Sequence, residues 1–107
     1  MNDSVEAGKT NAIISYLTII GTIIAMVQNS EVKNPFTSFH IRQTLGLFLS
    51  FFALGYPVGG FDSWPLTAGF YIFFFVLWIY GFIGALSGQM NKIPMLGGLF
   101  QKLFKNL

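Results

Sequence analysis

Long stretches of this chain lack charged side chains, and the charged residues lie between and beyond those stretches. No charge occurs between Thr10 and Ser30, and only Asp62 interrupts the run from Gln43 to Asn91. Helices of a water-soluble protein show polar residues on one face every few positions, whereas a bilayer favours uncharged runs with charges at their ends. The pattern therefore predicts an integral membrane protein.

Start and stop signals divide these stretches into three predicted membrane-spanning helices. The first covers 11–28, about 27 Å at 1.5 Å per residue, which is just enough to span. The second follows an N-cap at Asn34 and Pro35 at the first helical position, spans 41–58, and meets Pro57 near its end. The third has Pro65 in its first turn, spans 65–87, and is followed by Gly88 as a C-cap.

The tail, 96–107, has a different pattern. Apolar residues recur there at helical spacing, with lysines and amides on the opposite face. Such a helix suits the membrane surface, and the alternative is that it packs on a partner or on the end of the bundle. The expected fold is therefore all-α: one membrane domain over 1–107, with three transmembrane helices and a short amphipathic C-terminal helix at the interface.

Composition agrees with a membrane protein and narrows the chemistry. Charged residues make up 9% of the chain, against about 25% in an average soluble protein. The net charge of +2 is too small to suggest nucleic acid as a partner. No cysteine is present, so neither a disulfide framework nor thiolate chemistry is expected.

Basic residues indicate the orientation of the chain. With three spans, the loop before the second helix and the C-terminal tail share one side, whereas Lys9 lies on the other. That shared side carries five of the six basic residues, namely Lys33, Arg42, Lys92, Lys102 and Lys105. The positive-inside rule then predicts a cytoplasmic C-terminus and an external N-terminus.

Small residues form candidate packing faces on two of the predicted helices. They let backbones approach closely, and hydroxyls can bond across helices or back to their own turn. These faces hold the bundle together or bind another membrane protein. The first helix carries Ser15, Thr18, Gly21, Thr22 and Ala25, and the third carries Gly81, Gly84 and Ala85.

The entry of the second helix carries a polar face that contains His40, Gln43, Gly46 and Ser50. Polar groups within a membrane helix are costly unless they face protein or water. A structural hydrogen bond from His40 to a neighbouring helix is one interpretation, and a proton-relay or substrate-contact role is the other. Arg42 points away from this face, toward headgroups. The residues expected at the membrane interface are Arg42, Trp64, Lys102 and Lys105.

Catalysis is not expected from this sequence. With a single histidine and scattered carboxylates, it offers no metal cluster. It offers no nucleophile–base pair and no phosphate-binding glycine loop either. We therefore expect neither enzymatic activity nor a cofactor.

The run AIISYLTIIGTIIA, the segment NPFTSFHIRQTLG and the IPMLG turn before a basic tail resemble one protein family. It comprises small bacterial membrane proteins similar to the chloroplast import component Tic-twenty. Their pattern Phe-His-x-Arg-(Gln/Glu)-(Ala/Thr)-Leu is matched here from Phe39 to Leu45. The resemblance covers nearly the whole chain. It implies membrane components of protein import, located in the bacterial inner membrane. The plastid proteins have four spans, one more than is expected here.

The resemblance and the residues together leave several functions open. The first is a part in protein translocation, through assembly with other membrane proteins. The second is a structural accessory subunit of a larger respiratory, motor or transport complex. A solute or ion carrier is disfavoured because the spans hold no buried charge and show no internal repeat. The expected partners are membrane lipids and other integral membrane proteins, with homo-oligomers possible and no nucleic acid.

Overall fold

The computed structural model describes residues 3–107, with side chains from residue 5 onward. All regular structure in this range is helical, so the all-α prediction is confirmed. Along the chain the helices are α1 (Asp3–Leu17), α2 (Ile19–Asn29), α3 (Pro35–Gly60), α4 (Trp64–Leu86) and α5 (Gly97–Leu103).

The first predicted span is not one helix, because the chain breaks at Thr18. Thr18 is extended, with φ −158° and ψ 173°, and its hydroxyl oxygen accepts the Gly21 N–H at 3.1 Å as the N-cap of α2. The Thr22 hydroxyl donates to the Ser15 carbonyl at 2.7 Å, although seven residues of straight helix would separate their levels by about 10 Å. The segment 11–28 therefore folds back on itself instead of running straight.

The long helices α3 and α4 form an antiparallel hairpin. Asn34 caps α3 by accepting the Thr37 N–H at 3.0 Å, with Pro35 in the first turn, as expected. Pro57 lies within α3 and does not end it, so the helix continues to Gly60. Ser63 caps α4 by accepting the Leu66 N–H, and α4 lies within one residue of the predicted 65–87.

The end of α4 fixes the path of the following loop. Gly88 adopts φ 73°, which a residue with a side chain disfavours. The N–H of Gln89 donates to the Gly84 carbonyl at 2.8 Å, and the N–H of Gly88 donates to the Ala85 carbonyl at 3.4 Å. This pair of bonds is a Schellman motif, and it turns the chain back toward α3.

Two apolar clusters hold the helices together. One joins α1, the start of α3 and the end of α4, and contains Val5, Ala12, Tyr16, Phe36 and Ala85. The other joins the middle of the hairpin to the tail, and contains Leu47, Phe74, Leu77, Ile93 and Phe100. The first cluster lies at the end of the hairpin that carries α1, α2 and α5, which we call the basal half, and the second extends from there to the middle of the hairpin.

The rest of the hairpin, residues 48–60 and 64–76, is the apical half. Its inner side is aromatic, with Phe51 and Phe70 stacked at 5.4 Å between ring centroids. Large apolar side chains are exposed on its outer side, among them Leu49, Phe52, Leu54, Ile72, Phe73, Phe75 and Val76. The described molecule is elongated, 47 × 23 × 22 Å, and this half forms its apolar end.

One helix, α4, is long and apolar enough to cross a membrane. Its 23 residues extend about 34 Å, slightly more than the hydrocarbon core of a bilayer. Only 28% of its most apolar window is buried inside the molecule, so the helix presents apolar surface outward. Among the other described helices, α2 is apolar but has only 11 residues.

Candidate functional site

A buried hydrogen-bond network occupies the centre of the basal half. Helix α1 contributes Tyr16, and α3 contributes His40 and Gln43, which lie one turn apart on its inner face. All three side chains are 0% exposed. The loop after α4 supplies the backbone of Gln89 and Ile93, brought there by the Schellman turn.

The donors and acceptors of the network fix its direction. The Ile93 N–H can only donate, so it binds Gln43 Oε1 at 2.7 Å, and the Gln43 amide nitrogen donates to the Tyr16 hydroxyl oxygen at 3.0 Å. At the other end the Gln89 carbonyl can only accept, so His40 Nε2 carries a proton and donates to it at 2.8 Å. His40 Nδ1 and the Tyr16 hydroxyl, 2.7 Å apart, connect the two ends. In the neutral imidazole, Tyr16 donates to Nδ1.

Close packing encloses this network. Three aromatic rings surround the imidazole, with centroids at 4.7 Å for Phe36, 5.1 Å for Phe39 and 5.4 Å for Tyr16. On α4, the Trp78 indole N–H donates to the Tyr16 carbonyl at 2.7 Å. A Cβ at Gly81 would lie only 2.7 Å from the Tyr16 hydroxyl, so even alanine there would displace the Tyr16 side chain.

This arrangement favours structural hydrogen bonding over proton transfer for His40. No substrate can reach a fully buried imidazole in this conformation, and its two nitrogens are both engaged within the protein. The network joins α1, α3 and the loop after α4, which are far apart in the sequence. Among the described residues, no group of three or more His, Asp or Glu is placed to hold a metal ion.

The small-residue face of the first segment lies mostly inside, but on two helices instead of one. Ser15 is buried on α1, and Gly21, Thr22 and Ala25 are buried on α2, whereas Thr18 is exposed at the break. A Cβ at Gly21 would overlap the Ile14 carbonyl. These residues therefore allow α2 to fold closely against α1.

The remaining predicted packing residues are distributed over the hairpin. Gly81, Gly84 and Ala85 are buried on α4, and Gly84 lies beside the imidazole of His40. Gly46 of α3 lies directly beneath the ring of Phe100 from α5. Ser50 is only half-buried.

Arg42, which was expected to reach the headgroups, has hydrogen-bond partners in the tail. It does point away from the polar face, but its guanidinium binds the tail. Nε donates to the Phe104 carbonyl at 3.2 Å, and the two terminal nitrogens donate to Gln101 Oε1 at 3.2 Å and to the Lys105 carbonyl at 3.1 Å. Phe100, 3% exposed, packs into the second apolar cluster. The tail thus packs on the bundle, which is the alternative to an interfacial helix.

The other residues expected at the interface are exposed. Trp64 lies at the start of α4 with 81% of its surface exposed, and Lys102 and Lys105 are exposed on the tail.

Sequence reasoning found His40 and Gln43 but missed Tyr16 and the loop backbone that complete the network. A tyrosine within an apolar helix was the available signal for Tyr16, because a buried hydroxyl needs a hydrogen-bond partner. No side-chain pattern signals the Gln89 and Ile93 backbone groups. Comparison of the chain with protein-family models, curated proteins and solved structures finds no match.

Proposed function

We propose that this chain is an integral membrane protein without enzymatic activity, which acts by assembling with other membrane proteins. The supporting observation is the apical half, whose outer surface is almost entirely apolar and aromatic. A monomer in water rarely exposes such a surface, whereas lipid tails or apolar helices of a partner cover it without cost. In this proposal α3 crosses the membrane beside α4.

The fold-back at Thr18 suggests how the first segment is placed. At about 1.5 Å per residue, neither α1 nor α2 reaches across a bilayer of about 30 Å. We therefore favour two spans, α3 and α4, with α1 and α2 entering and leaving on one side, over the expected three. All six basic residues then lie on the side opposite Asp62, which the positive-inside rule makes cytoplasmic. This places the N-terminus inside with the C-terminus, in a bacterial inner membrane.

Single cysteines test this topology, because the natural chain has none. We expect an impermeant thiol reagent to label Ser63→Cys in intact cells and to label Thr10→Cys and Asn91→Cys only after permeabilisation. External labelling of Thr10→Cys would support the three-span arrangement instead. Labelling of Ser63→Cys only after permeabilisation would contradict both arrangements.

The partner is the second part of the proposal. The family resemblance suggests components of protein translocation, and the alternative is a structural accessory subunit of another inner-membrane complex. A partner helix would contact the outward-facing apolar residues of α2 and α4, such as Ile23 and Ile72.

A photo-crosslinking amino acid placed at position 23 or 72 would identify the molecules that contact these surfaces. The inward-facing position Ala25 is the matched control. Crosslinks to translocation subunits would support the first role, and crosslinks to subunits of another complex would support the second. Crosslinks only between copies of this chain would indicate a homo-oligomer. Crosslinks to lipid alone, with no protein recovered, would contradict an assembly role.

A further inference from the structure

A basic cavity of about 370 Å³ lies between the start of α3 and the end of the tail. Lys33, Arg42 and Lys105 line it, together with Ser38, Asn106 and Leu107. Among the described lining residues no side chain is a carboxylate, and the Ser38 hydroxyl donates to the Leu107 carbonyl at 2.9 Å. Half of the six basic residues of the chain therefore converge on one cavity without an acidic side chain among them.

The tail backbone fixes two of these cations side by side. Lys33 Nζ donates to the Asn106 carbonyl at 3.2 Å, and a terminal nitrogen of Arg42 donates to the adjacent Lys105 carbonyl at 3.1 Å. An ammonium has three N–H donors and a guanidinium has five, so each group keeps donors beyond the bonds it makes here. The cavity thus presents positive charge and N–H donors on side chains that the tail backbone holds in place.

The backbone of Lys33 is held in an unusual conformation. Its φ of 53° lies in the left-handed region, which most residues other than glycine and asparagine avoid. The Lys33 N–H donates to the Asn29 carbonyl at 2.8 Å, and the side chain of Asn29 accepts the Asn34 N–H at 2.8 Å. These two hydrogen bonds fix the turn that brings Lys33 to the cavity.

An apolar cavity of about 320 Å³ adjoins the basic one. Lys33 and Leu107 line both, and Met26, Val27 and Ile41 form much of the second. A phosphate ion would use only the basic cavity. A phospholipid has an anionic phosphate joined to apolar chains, which matches the two cavities together.

We propose that these cavities bind an anionic phospholipid, with its headgroup phosphate between Lys33, Arg42 and Lys105 and an acyl chain beginning against Val27 and Ile41. This inference rests on the proposed membrane location. Basic pockets on the cytoplasmic side of membrane proteins are suited to such headgroups. The bound lipid would also join α3 to the tail at the site where Arg42 already joins them.

The test uses the full chain reconstituted in phosphatidylcholine vesicles, with spin-labelled phosphatidylglycerol and spin-labelled phosphatidylcholine as probes. Electron spin resonance gives the fraction of each probe immobilised by the protein and hence the preference for the anionic lipid. We expect the natural chain to prefer the phosphatidylglycerol probe over the phosphatidylcholine probe. In the double variant Lys33→Gln/Lys105→Gln, we expect the ratio of the two affinities to fall roughly tenfold.

The matched control is Lys92→Gln/Lys102→Gln, which removes the same charge outside the cavity and should retain the preference. Lys33→Arg/Lys105→Arg should retain it as well. Equal loss in both glutamine variants would overturn the site in favour of diffuse charge attraction. Loss of the preference when sodium phosphate replaces chloride at equal ionic strength would show a site for free phosphate instead of lipid.

Labelling of Ser63→Cys in the same vesicles separates this inference from the proposed function. If labelling shows that Ser63→Cys and the tail lie on the same side of the vesicle membrane, the chain does not cross it. The proposed membrane function then fails, and the lipid site fails with it. If they lie on opposite sides, and the lipid preference is independent of Lys33 and Lys105, only the lipid site is overturned.

Discussion

Tyr16 connects the two ends of the buried network, since its hydroxyl faces both Gln43 and His40. Its carbonyl also receives the indole N–H of Trp78 from α4. Leaving a buried donor or acceptor unsatisfied costs about 1–3 kcal/mol, more than a typical hydrogen bond contributes. At the residue scale, Tyr16 therefore contributes to stability mainly by satisfying buried partners that would otherwise lack a hydrogen bond.

We expect Tyr16→Phe to lower the free energy of unfolding by about 1–3 kcal/mol, because Gln43 and His40 each lose a buried partner while the ring packing stays. The measurement is denaturant unfolding of the protein in mild detergent. The control is Tyr71→Phe, since Tyr71 is 56% exposed. Equal stability of both variants would contradict the network's contribution.

Arg42 provides a second prediction at this scale. A lysine has one ammonium group and cannot reach Gln101, Phe104 and Lys105 together, as the planar guanidinium does. We expect Arg42→Lys to loosen the tail and to speed tryptic cleavage after Lys102 several-fold. If Arg42 served only headgroups, this substitution would leave the cleavage rate unchanged.

At the scale of elements, the break at Thr18 decides whether the first segment folds back on itself or runs straight. Thr10 and Gln28 are both exposed, and a continuous helix would place them about 27 Å apart. We expect spin labels on cysteines at these positions to give a clearly shorter distance by double electron–electron resonance, because α2 turns back against α1.

Labels at Leu66 and Ile83 provide the matched control for that distance. Both residues are exposed on the continuous helix α4, and their separation along it is about 25 Å. A distance between positions 10 and 28 as long as this one would show that the first segment is a straight helix.

The contact between α3 and α5 depends on a missing side chain at Gly46. A Cβ there would overlap the Phe100 ring, whereas a Cβ at Gly55 on the same helix would meet Phe70 at an ordinary 3.7 Å. We expect Gly46→Ala to displace the tail and to raise its protease sensitivity, and Gly55→Ala to leave it unchanged. Equal protection of the two variants would show that Phe100 does not hold the tail in place.

At the scale of the whole molecule, the exposed apolar side chains of the apical half support the proposed membrane location. Phe75 lies near the middle of α4 and is 60% exposed. We expect Phe75→Lys to reduce the carbonate-resistant membrane fraction, because a lysine near the centre of a spanning helix costs about 2.5–3.5 kcal/mol. Trp64→Lys is the control, since a lysine at the helix end reaches the headgroups. A soluble molecule would gain solubility from Phe75→Lys and show no such loss.

Local signals in the sequence determined most of the helices. Asn34 and Pro35 start α3, Pro65 lies in the first turn of α4, and Gly88 follows its end, because caps act through residues next to one another in the chain. The exposed apolar surface of α4 follows equally directly from an uninterrupted apolar run. The predicted span ends at residue 58, beside Pro57, whereas α3 continues to Gly60, because a proline in the last turn loses one hydrogen bond and need not stop the helix.

Tertiary structure alone decided which polar groups meet. The stretch 11–28 has the composition of a straight span, and its fold-back at Thr18 depends on Gly21 and Thr22 reaching Ile14 and Ser15. His40 and Gln43 were recognisable as a polar face, but their partners come from Tyr16 and from the loop backbone at Gln89 and Ile93. A backbone carbonyl or N–H carries no side-chain signature, so only the turn that brings it to the network reveals its role.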